Sequence, residues 1–230
     1  MVEILPGVHQ VDGLNANTYL VLEDNGTLTL VDAGISSGGK KVLEYVGTKL
    51  SRQPSDVKVI VLTHAHIDHI RGARAIKRAT GAKVAIHGRD AEYLVGKKRL
   101  SMPRGLTGFL FRFFGIFFRA SPFDPDVMLK GDEQLPGSRL QVVYTPGHTP
   151  GSISLYDMQR KTIFVGDAII SGAGKLEGPP KQFTEDMLQA QHSMEKISTM
   201  DFEVLLSGHG DPVTSGGSLK VREFCASMKK

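Results

Sequence analysis

Three histidines and one aspartate fall within six consecutive residues of this chain. They are His64, His66, Asp68 and His69. Neutral imidazoles and carboxylates are the ligand types that divalent transition metals prefer. Four such groups packed together without a metal would leave polar rings and a charge in need of partners. The spacing therefore predicts a metal site and chemistry that depends on a bound metal.

Three further residues of ligand type occur later in the chain, each beside a glycine. They are His148, Asp167 and His209. Each follows an apolar run that is typical of a buried strand, at residues 140–144, 162–165 and 203–206. Glycines allow a loop to approach its neighbours closely. Because all three stand at the ends of predicted strands, we expect them to join the first cluster.

The elements that must position these residues form two strand-rich halves. In the first half, strands are predicted at 9–12, 18–22, 28–31, 59–62 and 83–86. Helices are predicted at 39–50, at 70–76 and from Asp90. The second half begins near Val127 and contains a helix over 187–200. The first cluster thus lies on a loop at the carboxyl end of strand 59–62, where α/β sheets usually place ligands.

The composition is that of a globular domain. The chain has 230 residues, of which 40% are hydrophobic, and we expect residues 1–230 to form a single domain. Its one cysteine, Cys225, excludes a disulfide framework. The net charge is only +4, which is compatible with an anionic substrate but favours a solvated surface over nucleic-acid binding. No basic stretch followed by an apolar signal core is present at the start, so a cytoplasmic location is expected.

The seven candidate ligands together resemble the metal-binding pattern of the metallo-β-lactamase superfamily. The loop Thr-Pro-Gly-His-Thr-Pro-Gly-Ser at 145–152, the Gly-His-Gly of 208–210 and the aspartate of Leu-Val-Asp-Ala-Gly at 30–34 are similar to its glyoxalase II-like hydrolase branch. The resemblance runs from about residue 7 to about residue 212. It implies an α/β fold, the αβ/βα four-layer sandwich of this superfamily, with a two-metal site at one edge.

The resemblance also implies a role for each candidate. His64, His66 and His148 would hold one metal, Asp68, His69 and His209 would hold the second, and Asp167 would bridge them. Zinc is the expected metal, and iron or manganese also fits this donor set. A water between two such metals becomes a hydroxide nucleophile. Asp68 would take or relay a proton, and Asp32 would accept a hydrogen bond from a ligand histidine.

The predicted reaction is hydrolysis of an ester, thioester or lactone. Glyoxalase II proper has a C-terminal helical domain, whereas only roughly 18 residues follow Pro212 here, which argues against a glutathione thioester. The related lactonases carry a tyrosine where this chain has Ile170. Two alternatives remain. One is a persulfide dioxygenase with a single iron on His64, His148 and Asp167; the other is a metal-dependent phosphodiesterase or ribonuclease.

A phenylalanine-rich insertion is expected at about residues 97–126. Six of the chain's 11 phenylalanines lie within residues 109–118. The segment is too short and too interrupted to cross a bilayer. It is interpreted as a lid over a substrate pocket, as a homodimer interface, as an interfacial membrane contact, or as packing without a functional role. As a lid it would place Phe113 and Phe117 against the substrate, and the loop at 171–178 would add Lys175.

If the phenylalanine-rich insertion is a lid, Phe113→Ser and Phe117→Ser should weaken the binding of long acyl substrates more than that of short ones. Each additional buried CH₂ contributes roughly 0.8 kcal/mol, so the difference should grow with chain length. The measurement is KM against acyl length, with metal content as the control. An unchanged chain-length profile in both variants would exclude the lid, and a shift to monomer in light scattering would indicate a dimer interface.

Overall fold

The computed structural model describes residues 2–11, 16–35, 38–98 and 122–228. The first of its two large sheets has seven strands in the order β1 to β7. These are β1 (Val2–Leu5), β2 (Val8–Val11), β3 (Thr18–Leu22), β4 (Leu28–Val31), β5 (Val57–Leu62), β6 (Lys83–His87) and β7 (Val127–Leu129). Pairing is antiparallel from β1 to β4 and parallel from β4 to β7. The parallel part brings the carboxyl ends of β4 and β5 to the same edge.

The second large sheet has four strands in the order β13, β10, β9, β8. These are β8 (Gln141–Tyr144), β9 (Ile153–Asp157), β10 (Thr162–Gly166) and β13 (Val204–Ser207). β10 and β13 are parallel, so their carboxyl ends also lie together. A small hairpin of β11 (Ile170–Gly172) and β12 (Lys175–Glu177) follows β10.

Six α-helices flank the sheets in the described part of the chain. They are α1 (Gly38–Thr48), α2 (Ile67–Ile70), α3 (Ala73–Thr80), α4 (Gly88–Leu94), α5 (Met187–Ser198) and α6 (Gly217–Ser227). Short 3₁₀ turns occupy Pro54–Asp56 and Lys181–Phe183. No helix among the described residues has the length and apolar character needed to cross a bilayer.

Three buried apolar clusters hold these elements in four layers. One joins α1, α3 and α4 to the first sheet, one fills the space between the sheets, and one joins the second sheet to α5 and α6. Neighbouring residues of one strand alternate between clusters: Ile60 faces the helices and Val61 faces the other sheet. Burial on both faces explains the continuous apolar runs in the sequence. The predicted α/β class and the sandwich of αβ and βα layers are confirmed.

Several local predictions need correction. The helical run at 70–76 is two helices, because the amide of Gly72 donates to the carbonyl of Gly34 rather than to the preceding turn. The first strand of the predicted second half, β7, belongs to the first sheet, since it pairs with β6. The loop at 171–178 is largely the β11–β12 hairpin. Most of the phenylalanine-rich insertion, including Phe113 and Phe117, lies outside the described residues.

Candidate metal centre

The candidate ligands meet where the carboxyl ends of strands from both sheets come together. Those on 64–69 follow β5, Asp167 follows β10, and His209 follows β13. His148 lies on the loop between β8 and β9. The loops are held to one another by backbone bonds, between the two sheets from Ile153 N to Thr63 O and within the second sheet from Gly208 N to Gly166 O. The fold therefore assembles four segments that are distant in sequence.

The first group consists of His64, His66 and His148, with Asp167 beside them. Their nitrogen and oxygen donors all lie within 4.8 Å of one another. His66 Nδ1 is 3.1 Å from His64 Nε2 and 2.8 Å from His148 Nε2. Three ring nitrogens that face one another so closely form a donor set for a cation.

The second group consists of Asp68, His69 and His209, again with all donors within 4.8 Å. His209 Nε2 lies 3.3 Å from Asp68 Oδ2 and 3.4 Å from His69 Nε2. His69 is buried, whereas the side chains of Asp68 and His209 are 23% and 32% exposed. Solvent therefore reaches the centre from this side.

Asp167 lies between the two groups. Its Oδ2 is 3.8 Å from His64 Nε2 and 3.4 Å from His148 Nε2 in the first group, and 3.5 Å from His209 Nε2 in the second. Its Oδ1 is 3.4 Å from His69 Nε2. This buried Oδ1 has no hydrogen-bond partner among the described residues. A buried carboxylate oxygen without a partner is costly, and a cation at this point would satisfy it.

The outward ring nitrogens of three histidines are bonded to fixed partners. His69 Nδ1 donates to Asp32 Oδ2 at 2.8 Å. His64 Nδ1 lies 3.0 Å from the hydroxyl of Thr63, which itself donates to Asp32 Oδ2. Because Nδ1 of each ring is engaged in this way, Nε2 is the nitrogen that both histidines turn toward the other candidate ligands.

His148 is oriented in the same way by a threonine further along the chain. Its Nδ1 lies 3.2 Å from the hydroxyl of Thr184, which donates to the carbonyl of Pro180. Neither Thr63 nor Thr184 was among the sequence candidates. Thr63 carries a weak signal because it directly precedes His64, but Thr184 is 36 residues from His148 and no pattern links them.

The electrostatics differ between the two groups. Burial lowers the pKa of His64 and His66, for His66 to about 3, so both rings are neutral as ligation requires. Burial also acts to lower the pKa of His69 and His209, but carboxylates outweigh it. Asp32 and Asp167 raise the pKa of His69 to about 10, and Asp68 raises the pKa of His209. A cation bound by the second group would replace those protons.

The carboxylates remain ionised. Burial acts to raise the pKa of Asp167, but the rings of His69 and His148 bring it well below its usual range. Burial likewise opposes ionisation of Asp68, and the hydrogen bond from His209 lowers its pKa. Three imidazoles with Asp167 on one side, and two imidazoles with Asp68 and the shared Asp167 on the other, suit a divalent metal such as zinc. The donor set therefore fits the two ions that the sequence predicts.

The remaining candidate is Lys175, on the small hairpin. Lys175 begins β12, pairs across the hairpin with Gly172 and is exposed. The hairpin bonds to the backbone of a candidate ligand and not to its ring, since Ser171 N donates to the carbonyl of His209. A substrate contact by Lys175 stays a prediction.

Comparison with known proteins agrees with this architecture. The family profile of the metallo-beta-lactamase superfamily matches residues 11–209. The probable metallo-hydrolase YflN of Bacillus subtilis is 30% identical, over 92% of this chain and 87% of that protein. The hydroxyacylglutathione hydrolase GloC of Haemophilus influenzae is 23% identical over 98% of each chain.

Solved structures show the same fold. The metallo-beta-lactamase family protein TTHA1429 of Thermus thermophilus superimposes with a TM-score of 0.72 at 22% identity, covering 99% of this chain and 81% of that one. BJP-1, a subclass B3 metallo-beta-lactamase of Bradyrhizobium japonicum, superimposes with a TM-score of 0.73 at 21% identity, covering 99% of this chain and 90% of that one. The chain belongs to the metallo-β-lactamase superfamily. It is a metal-dependent hydrolase similar to the glyoxalase II-like members.

Gly208→Ala tests the close packing at the centre. A Cβ at this position would lie 2.1 Å from Asp167 Oδ1 and 2.7 Å from His69 Cε1, so both side chains would have to move. We expect metal affinity to fall roughly 10–100-fold, as when the support of a metal ligand is lost. The measurement is competition for zinc with a chromophoric chelator. Gly47→Ala is the control, because a Cβ there meets no atom within 4 Å and its φ, like that of Gly208, lies outside the left-handed region. Unchanged zinc affinity in Gly208→Ala would contradict the geometry.

Proposed function

We propose that this protein is a binuclear hydrolase of a small ester, thioester or lactone, with zinc as the expected metal. The observation that carries the proposal is the single buried carboxylate of Asp167 within 3.8 Å of ligand nitrogens from both groups. One carboxylate that faces two sets of donors is suited to bridging two cations. His64, His66 and His148 would hold one ion, and Asp68, His69 and His209 the other.

When bound, the paired ions would polarise the substrate carbonyl and bring the pKa of a water toward neutrality. The chain supplies the rest. Asp68 is ionised, partly exposed and hydrogen-bonded to His209, so it can accept a proton released on the solvent side and pass it outward. Asp32 holds His69 directly and His64 through Thr63, which keeps both donors fixed while the substrate is bound.

The proposed substrate class rests on one relative and on charge. The similarity to a hydroxyacylglutathione hydrolase favours carbonyl rather than phosphoryl substrates. The net charge of +4 is compatible with an anionic acyl compound. Phe113, Phe117 and Lys175 are the residues proposed to contact it.

The dioxygenase alternative needs only His64, His148 and Asp167 for one iron. It would leave the second group without a role, although Asp68, His69 and His209 have their donors within 4.8 Å of one another. Hydrolysis with two ions would give the residues of the second group a role as ligands. Metal stoichiometry separates the two functions.

We expect the purified protein to bind two zinc ions per chain and to hydrolyse members of a panel of short esters, thioesters and lactones. Metal removal with a chelator should abolish turnover, and added zinc should restore it. The measurements are elemental analysis and initial rates, with a chromogenic phosphodiester in the same panel. One iron per chain with oxygen uptake would show dioxygenation, and cleavage of the phosphodiester alone would show a phosphodiesterase.

Asp167→Ala should lower metal occupancy and rate together, because it removes the carboxylate proposed to be shared by both groups. Asp157→Ala is the matched control. Asp157 is also a buried carboxylate, but it pairs with Thr162 at the opposite end of β10. Occupancy is measured by elemental analysis and turnover on the substrate found in the panel. Two retained ions with near-normal turnover in Asp167→Ala would refute the bridging role.

A further inference from the structure

A buried carboxylate outside both ligand groups fixes the loops of the first group. Asp90, at the start of α4, is fully buried. Its Oδ2 accepts hydrogen bonds from Ala65 N at 2.8 Å and from Thr149 Oγ1 at 2.6 Å, and its Oδ1 accepts from Gly151 N at 2.6 Å. Ala65 separates two candidate ligands, and Thr149 follows a third.

The site of Asp90 supplies three hydrogen-bond donors to its carboxylate oxygens. Burial raises its pKa, and the three donors act against that rise. A Cβ on Gly151 would lie 2.5 Å from Oδ1, so the loop can approach the carboxylate this closely only with glycine at that position. The carboxylate therefore joins the loop of His64 and His66 to the loop of His148. The structure shows no comparable bond from Asp90 to the second group among the described residues.

A different polar side chain fixes the loop of the second group. Asn17, just before β3, donates from Nδ2 to Ser207 O at 3.0 Å and to Gly210 O at 2.8 Å. These two carbonyls lie on either side of His209 in the sequence. The Oδ1 of Asn17 accepts from Gln10 Nε2 at 2.8 Å, which defines the orientation of the amide. The backbone amide of Asn17 adds a bond to Gly208 O at 2.7 Å.

We propose that Asp90 and Asn17 are positioning residues that control the two metal positions separately. Asp90 sets the geometry of His64, His66 and His148, and Asn17 sets that of His209. The inference rests on the proposed two-metal function. It adds that each group has its own support outside the ligands, so the affinity of one position can be changed while the other is kept.

Two isosteric substitutions test each support. Asp90→Asn replaces one carboxylate oxygen by an NH₂ that faces N–H or O–H donors. Asn17→Asp replaces the amide nitrogen by an oxygen that faces the two carbonyls. Both changes preserve volume, so they disturb hydrogen bonding and leave packing nearly intact.

Each substitution is made in two backgrounds that isolate one metal position. His209→Ala leaves the first group intact, and His148→Ala leaves the second. Zinc affinity is measured by calorimetric titration of the full chain, without any substrate. In the His209→Ala background we expect Asp90→Asn to weaken zinc binding roughly 10–100-fold and Asn17→Asp to have little effect. In the His148→Ala background Asn17→Asp should weaken zinc binding by a similar factor and Asp90→Asn should have little effect.

Asp157→Asn is the control in both backgrounds, since Asp157 is another buried carboxylate and accepts bonds from Arg160 at the far end of the sheet. It should leave zinc affinity unchanged. Circular dichroism and urea unfolding of the metal-free proteins check the fold. If Asp90→Asn does not fold, Thr149→Val removes one donor to the same carboxylate, and Thr149→Ser should restore the affinity.

The outcomes are distinct. Equal losses from Asp90→Asn and Asn17→Asp in both backgrounds, or no loss in either, would overturn the inference. If neither background binds zinc, the positions do not bind independently and the inference is wrong. If the parent protein itself fails to bind two ions, it is the proposed function that fails.

Discussion

The centre depends on one electrostatic constraint, the ionised carboxylate of Asp167 held among imidazoles in a buried position. Four rings lie within 3.8 Å of its oxygens, and two of them belong to each group. An isolated charge in this environment would be strongly unfavourable. The surrounding rings make ionisation possible, and in turn the carboxylate raises the pKa of His69 and His209. The groups are therefore coupled even before a cation is considered.

A second buried carboxylate, that of Asp32, supports the ligands from outside the two groups. Asp32 is buried and adopts a positive φ of 60°, which is uncommon for a residue other than glycine. In that position Asp32 Oδ2 accepts hydrogen bonds from both His69 Nδ1 and the Thr63 hydroxyl. One carboxylate thereby sets the tautomer of His69 directly and that of His64 through Thr63. Strain of this kind persists where surrounding bonds over-determine the backbone. Here the amides of Asp32 and Ala33 donate to the carbonyls of Val61 and His69.

The two sheets contribute rigidity rather than chemistry. Each parallel pair, β4 with β5 and β10 with β13, ends at the same edge of the sandwich, and the buried cluster between the sheets holds those edges in contact. Loops that begin at such strand ends have their first residues fixed by the sheet. The sheets thus fix where the metal-binding loops begin, whereas the substrate is selected by side chains beyond them. For this reason the fold indicates a metal centre but not a particular substrate.

The sequence by itself determined the donor types, most of the strands and the edge at which the donors meet. Local information sufficed because an apolar β-branched run followed by His64 and its neighbours defines both a strand and what comes after it. The sequence did not predict that Gly72 divides a helix, or that β7 joins the first sheet. Only the tertiary structure brought Asp90, Asn17 and Thr184 to the centre. These residues act through hydrogen bonds to segments as far as 193 residues away, and a single bond of this kind leaves no periodicity or spacing in the chain. The physical reason is that the spacing of apolar residues shows which face of a helix or strand is buried. The partner of a buried polar group is decided by how the elements pack together.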